Sequence, residues 1–310
     1  MKRSSLWLFG MLAIVIVAIA GWMLTKGGEL RGASPPGSVA QVPSGRAGSN
    51  AAIPAHPGTI KVAPAAGRQA DREYERAQSL LPLVDTAQRK HDVTSLTIRA
   101  RAFDECWIIA VTPDYFANVD DMFAGAYYGD VAPIAKAYVD TYLDRCRDLA
   151  RVYQPRGRVR SDAIEAAAQA GSPWAKAKLF RTEAAGLTVA EADAKLRDIL
   201  ASHDPEAIGV LADSMATRRD GSAYSDIEGG RLSWFAWTLA SCALGRDCSR
   251  NGQLMRSLCA FDGICGNVTT YADLLQQVVM PPADFRNTLD LESAILEAIR
   301  NAAGGSPASS

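Results

Sequence analysis

Six cysteines are the residues of this chain whose type and spacing most clearly offer chemistry. They are spread between positions 106 and 265 of a 310-residue sequence: Cys106, Cys146, Cys242, Cys248, Cys259 and Cys265. The last four fall within 24 residues as two copies of one pattern, in which Cys-Ala and an apolar residue precede a break containing glycine and then a second Cys. Gly245 and Gly263 are able to take the left-handed conformation that ends a helix and turns the chain back.

The pairing of these cysteines stays open at the level of sequence. Local bridges (242–248 and 259–265) and crossed bridges (242–259 and 248–265) are equally permitted. The reason is that the first cysteines of the two motifs are 17 residues apart, and so are the second cysteines. Cys106 and Cys146 would pair by elimination, closing a loop of about 40 residues and contributing ~3–4 kcal/mol in the loop-entropy model. A zinc site at 242–265 is the alternative, disfavoured because zinc-binding cysteines usually stand two to four residues apart. We therefore predict no metal and no cofactor.

Catalytic side chains are harder to find. The three histidines have no motif partner, and the sequence holds no phosphate-binding loop, metalloprotease motif or serine-nucleophile motif. Two adjacent acid pairs, Asp104-Glu105 and Asp120-Asp121, lie near aromatic residues and could flank a sugar in a glycosidase. We interpret them first as solvated helix faces, so the catalytic residues are unknown.

Two clusters are candidates for a binding surface. One is the cationic group Arg151, Arg156, Arg158 and Arg160, and the other is the pair Trp234 and Trp237, which share a face at helical spacing. Each cluster has a structural alternative, since the arginines could pair with nearby aspartates and the tryptophans could pack in the core.

The N-terminus carries a candidate membrane segment. Lys2 and Arg3 precede an uninterrupted apolar or small run of 19 residues at 6–24, long enough to cross a bilayer core. The small residues around Ala20 also fit a signal-peptidase site, so both a signal anchor and a cleaved signal peptide remain open for 1–24. The charge bias predicts a single-pass protein of the inner (cytoplasmic) membrane with its folded domain in the periplasm, or an exported soluble protein if the chain is cleaved after Ala20.

After residue 24, the composition of the chain changes again at about residue 70. Residues 25–70 are rich in Pro, Ala and Gly and are predicted to be a disordered tether. Residues 71–310 carry 26 basic and 33 acidic residues, which is a poor electrostatic match to nucleic acid.

Residues 71–303 show apolar spacings of three and four that predict an all-α domain, followed by a disordered tail at 304–310. Thr112, Ser172 and Asp204 each precede a proline as an N-cap, and Thr188 with Glu191 forms a capping box. Nine main helices are predicted, then a shorter one and two near the C-terminus: 71–90 with a kink at Pro82, 95–111, 114–127, 131–152, 162–170, 173–185, 189–201, 205–216, 230–244, 253–261, 271–279 and 289–302.

A repeat with a period of 32 residues appears within this domain. Gly171-Ser172-Pro173-Trp174-Ala175 is followed by Leu179, and His203-Asp204-Pro205-Glu206-Ala207 by Leu211. Together with the Ala-rich run that ends at Gly171, this pattern resembles the Sel1-like branch of tetratricopeptide-type repeats over about 80 residues. The second copy departs from it, with His203 in the place of glycine. The resemblance implies a solenoid of helical hairpins with a binding surface and no catalysis; an irregular helical bundle is the alternative.

These observations predict a membrane-tethered envelope protein that is a binding or scaffold module and not an enzyme, with a protein or envelope polymer as its partner. A helical cell-wall or glycan hydrolase using an acid pair, and a self-assembling structural domain, are the alternative hypotheses.

Overall fold

The computed structural model describes residues 65–113, 132–262, 264 and 268–304. Within these ranges the protein is all-helical, as predicted, with twelve α-helices and no β-strand. The helices are α1 (Ala65–Arg76), α2 (Leu81–Gln88), α3 (Val93–Val111), α4 (Ala132–Tyr153), α5 (Gly157–Gln169), α6 (Pro173–Glu183), α7 (Val189–Ala201), α8 (Pro205–Met215), α9 (Gly230–Ala243), α10 (Gln253–Asp262), α11 (Tyr271–Leu274) and α12 (Pro282–Ala303).

Several predictions fall outside the described residues. They are the membrane segment at 6–24, the tether up to residue 64, the helix at 114–127 with Asp120 and Asp121, residues Gly263 and Cys265, and the tail from 305. Among the helices that are described, none is both long and apolar enough to cross a membrane.

The first helix differs from the prediction at both ends. It begins at Ala65, inside the segment expected to be tether, and stops at Arg76. A second helix then begins at Leu81, with Pro82 in its first turn, where the missing N–H of proline costs no hydrogen bond. Pro82 therefore opens a helix and does not kink one. Buried Leu80 fixes the break, because its N–H donates to the carbonyl of Arg145 at 3.0 Å.

Two other boundaries were misplaced. Helix α5 begins at Gly157, five residues before the predicted start, directly after backbone with positive φ at Gln154. Helix α12 begins at Pro282, seven residues early, with proline in the first turn and Asp284 beside it. Both proline in the first turn and an acid near the N-terminus favour a helix start, so this signal was present in the sequence.

Two helical pairs repeat the same local design. The α5–α6 and α7–α8 connections contain a residue with positive φ, Gly171 (101°) and His203 (53°) respectively. Two of the three N-caps predicted before prolines are present: the side chain of Ser172 accepts from the Ala175 N–H and that of Asp204 from the Ala207 N–H. The helix that Thr112 was predicted to cap lies outside the described residues. The capping box of Thr188 and Glu191 is also formed.

The core consists of three hydrophobic clusters. One lies among α1 to α6 and α10, a second among α6 to α9 and α12, and the third among α9 to α12. Helix α9 belongs to two of them, and its Trp237 is completely buried.

Two disulfides cross-link the described residues. Cys106 on α3 bonds to Cys146 on α4, as elimination predicted. Cys242 bonds to Cys248, so the local pairing is correct and the crossed pairing is wrong. Cys259 is also disulfide-bonded. These bonds consume the thiolates that a zinc site in this segment would need.

Candidate functional site

A cleft of about 560 Å³ lies between α1, α4, the start of α8 and the segment from Gly245 to Arg256. Ligand sites of small molecules commonly have volumes of ~300–1,000 Å³. Most of the residues that line this cleft are charged or polar, although apolar atoms contribute the larger share of its surface.

Helix α1 supplies the acidic wall. Asp71 and Glu75 stand four residues apart and therefore share one face of the helix. Asp71 is neutralised by Arg101 of α3, whose Nη1 lies 2.6 Å from Oδ1. Glu75 has no ion pair with any residue in the described ranges, although it lines the cleft.

Glu75 is also the most perturbed carboxyl group of the cleft. Burial raises its pKa to about 7, with further contributions from the negative charges of Glu206, Asp247 and Asp71. Arg101 opposes this increase but is already paired with Asp71. The cleft therefore places a carboxyl group in a negative field that a bound cation would relieve.

The Cys242–Cys248 disulfide shapes the opposite wall. Helix α9 ends at Ala243, Gly245 takes a φ of 112°, and the disulfide returns the chain to the helix end. The segment that follows brings Asp247 and Asn251 to the cleft. This is the function that the sequence assigned to Gly245 as a helix terminator.

Arg246 ties this segment to α8. Its Nε lies 3.6 Å from Oε2 of Glu206, in the first turn of α8. A Cβ atom at Gly209, one turn later, would overlap the Arg246 guanidinium group. Gly209 therefore leaves room for the Arg246 side chain in this position, at the cost of a glycine in a helix interior.

The floor of the cleft is a buried polar network. Arg145 donates from Nε to Oε1 of Glu105 at 2.6 Å and from its other nitrogens to the carbonyls of Tyr74 and Ala77. The hydroxyl of Tyr74 donates to the second oxygen of Glu105, also at 2.6 Å. This network joins the end of α1 to α3 and α4 and holds the acidic wall in place.

A third part of the wall has unsatisfied polar groups. The Arg256 side chain of α10 lies over the ring of Tyr138, 5.5 Å from its centroid, and its Nε is buried without a hydrogen-bond partner. Tyr138 is 8% exposed, and its hydroxyl makes no hydrogen bond to a described residue. Burial raises the pKa of Tyr138 to about 12, so the hydroxyl remains a proton donor at neutral pH.

A smaller cavity of about 220 Å³ adjoins the cleft and shares Glu105, Glu206 and Gln253 with it. Arg101 and Arg246 line this cavity and hold Glu206 between them, at 3.8 and 3.6 Å. Within the described ranges, no group of three or more His, Cys, Asp and Glu side chains is arranged to hold a metal ion.

The acid pair Asp104-Glu105 is not a solvated face. Asp104 forms ion pairs with Arg160 at 2.5 Å and with Lys178 at 2.7 Å, and Glu105 belongs to the polar network at the floor of the cleft. Both side chains are nearly buried and compensated by cations, so neither is available as an unpaired acid or base.

The proposed binding clusters are largely occupied in the fold. Trp237 is 0% exposed, and its Nε1 donates to the carbonyl of Ile227 at 3.0 Å, so its assignment to a binding surface is wrong. Trp234 stays half-buried at the surface, where its Nε1 donates to Asp213 at 2.7 Å. The two residues share a helix, but packing against α8 and the 225–227 turn separates their environments.

The four arginines of the predicted cationic cluster also lie in different environments. Arg160 turns towards Asp104 and lies 5.0 Å from the centroid of the Trp107 ring. Arg151 remains exposed and pairs with Asp148 at 3.0 Å. Arg156 and Arg158 are exposed at the start of α5. The residues that the sequence grouped together thus do not form one site.

The comparisons with known proteins give no further guidance: no family model, no curated protein and no solved structure matches this chain.

Sequence reasoning missed Glu75, Asp247, Tyr138 and Arg256 as one site. The available signal was weak: Asp71 and Glu75 share a helix face, and Asp247 lies inside the cysteine motif. The elements that carry these residues are far apart in the chain, so only their packing brings them together.

Proposed function

We propose that the protein is a membrane-tethered binding module of the envelope, with a helical-repeat domain that binds a polar ligand in the cleft between α1, α4 and α10. The observation that carries the proposal is a cleft of ligand size lined by Glu75, which forms no ion pair with a described residue, and by Arg256, whose Nε is buried without a hydrogen-bond partner. Such groups cost free energy when they are buried alone, and a ligand can satisfy them.

The disulfides support the envelope location. Bonds such as Cys106–Cys146 persist in oxidising compartments and are rare in the cytosol. Export by the 6–24 segment, and a tether that separates the domain from the membrane, agree with them. A reporter enzyme that is active only outside the cytoplasm, fused after residue 310, tests this part of the proposal: activity supports it and inactivity contradicts it.

Site-specific photo-crosslinking in cells tests the binding site. A photoreactive amino acid replaces Asn251, an exposed residue of the cleft, in the full-length protein. The matched control replaces Arg197, which is exposed on α7 and does not line the cleft. We expect a mass-shifted product at Asn251 alone; equal labelling at both positions, or none at Asn251, would contradict the proposal. A product of twice the chain mass would favour the self-assembling domain instead.

Glycan hydrolysis in the same cleft is a second candidate. Glu75, whose pKa is raised to about 7, is partly protonated at neutral pH, and Asp247 lies in the same cleft; a general acid and a carboxylate partner require this combination. Turnover of a cell-wall glycan that is lost in Glu75→Gln and kept in Asp104→Asn would favour this function over binding alone.

A further inference from the structure

We propose that the cleft binds a short zwitterionic peptide, with an ammonium group of the peptide at Glu75 and Asp247 and its carboxylate at Arg256 and Tyr138. This inference rests on the proposed function, because it names the ligand class of the same cleft.

The acidic end supplies the first half of the argument. Four carboxylates act together there, three of which raise the pKa of the fourth, Glu75. Asp71 is satisfied by Arg101, and Glu206 lies between Arg101 and Arg246. Neither Glu75 nor Asp247 forms an ion pair with a described residue, although Arg72 and Arg76 of α1 also line the cleft. A ligand ammonium group supplies the missing charge and up to three hydrogen-bond donors.

Arg256 and Tyr138, which line the same cleft, supply the second half. Arg256 makes no ion pair in the described part of the chain, and its guanidinium group is partly desolvated against Tyr138. Tyr138 is more than nine-tenths buried and lines the cleft with a hydroxyl that lacks a partner. A guanidinium group beside a phenol hydroxyl offers charge-assisted hydrogen bonds to a carboxylate.

The two ends together determine the ligand class. A simple cation would leave the Nε of Arg256 without a partner, and a simple anion would be repelled by Asp247 and by the ionised form of Glu75. A volume of about 560 Å³ holds a peptide of a few residues. The amides of Gln78 and Gln253, which also line the cleft, can pair with the peptide backbone.

Calorimetric titration of the full-length protein in detergent tests the inference. The probe is the tripeptide Ala-Lys-Ala with free termini. One analogue carries a C-terminal amide and so lacks the carboxylate; the other is N-acetylated with norleucine in place of lysine and so lacks both ammonium groups. We expect each analogue to bind at least about tenfold more weakly than the probe.

Two single substitutions test which protein side chain binds the ammonium groups of the peptide and which binds its carboxylate. Glu75→Gln should remove the preference for the ammonium groups, and Arg256→Gln should remove the preference for the free carboxylate. The matched controls Glu165→Gln and Arg197→Gln, both at exposed positions outside the cleft, should bind as the wild type does. Circular dichroism verifies that each variant is folded.

Equal affinity for all three peptides, or no binding of the probe at millimolar concentration, would overturn the inference. If the probe fails to bind while Asn251 still crosslinks in cells, the ligand class is wrong and the proposed binding function remains. If Asn251 does not crosslink either, the proposed function itself fails.

Discussion

Arg145 and Glu105 form a buried ion pair, 2.6 Å from Nε to Oε1, directly beside the disulfide between Cys106 and Cys146. The two cross-links join consecutive residues of α3 to consecutive residues of α4. The ion pair also reaches α1, because Arg145 donates to the carbonyl of Tyr74. One covalent and one ionic link therefore hold the three helices that form the floor and one wall of the cleft.

Removal of Arg145 should be among the most destabilising substitutions on the cleft floor. Arg145→Met leaves the Glu105 carboxylate buried without its cation and frees backbone carbonyls, so we expect a loss of about 3–5 kcal/mol in the free energy of unfolding. Arg151→Met is the matched control on the same helix; its ion pair with Asp148 is exposed, and we expect a change below about 0.5 kcal/mol. Urea denaturation measures both, and equal effects would contradict the prediction.

The two described disulfides should differ in their contributions. Cys106–Cys146 has a sequence separation of 40 and Cys242–Cys248 one of 6. Loop entropy predicts stabilisation of about 4 kcal/mol for the longer loop and about 2 kcal/mol for the shorter one. Paired Cys→Ser substitutions, compared by urea denaturation without reductant, measure the difference. A larger loss from the 242–248 pair would show that the turn at Gly245 depends on its bridge more than loop length implies.

Stability should depend on pH through Glu75. The folded protein keeps the Glu75 proton up to about pH 7, whereas the unfolded chain releases it near pH 4.5. The folded state therefore binds more protons between these values, and stability falls as the pH rises through this window. Glu75→Gln removes the effect, so we expect the variant to be more stable than the wild type by about 1–2 kcal/mol above pH 7, after allowance for screening in the open cleft.

The control for this prediction is Glu165→Gln at an exposed position of α5. Urea midpoints at pH 4.5, 6 and 8 should show a difference between Glu75→Gln and wild type that grows with pH. A difference that stays constant over this range would contradict the assignment of the perturbed carboxyl group to Glu75.

Substitutions at the two left-handed turns, His203 and Gly171, should change the stability of the fold in opposite directions. His203 adopts a φ of 53°, which costs an L-residue about 1–2 kcal/mol and glycine almost nothing. Its Nε2 is also buried without a partner. We expect His203→Gly to stabilise the fold by about 0.5–1 kcal/mol, since the greater entropy of glycine in the unfolded chain offsets part of the gain.

At the equivalent turn, Gly171 has a φ of 101°. We expect Gly171→Ala to destabilise the fold by about 1–2 kcal/mol because of backbone strain, since no neighbouring atom obstructs the added Cβ. Thermal midpoints should move in opposite directions for the two variants. A loss of stability in His203→Gly would mean that the histidine side chain contributes more packing energy than the turn costs.

Local signals in the sequence determined much of this fold. Ser172 and Asp204 before prolines, and Thr188 before Glu191, fixed the starts of α6, α7 and α8, because capping depends only on residues within one turn. The helical class followed from apolar spacing, and the Cys106–Cys146 bridge followed from elimination. Local signals failed at α1, where residues 65–70 are Ala, Gly, Arg and Gln and include no large apolar residue.

Only the tertiary structure decided which residues share a site. Trp234 and Trp237 are equivalent by spacing, yet one is at the surface and the other is fully buried, because burial depends on what packs against each side of α9. The sequence likewise left two pairings open for Cys242. The cleft joins Glu75, Tyr138, Asp247 and Arg256 from four separate segments, and long-range packing of this kind leaves no periodicity that a single sequence can show.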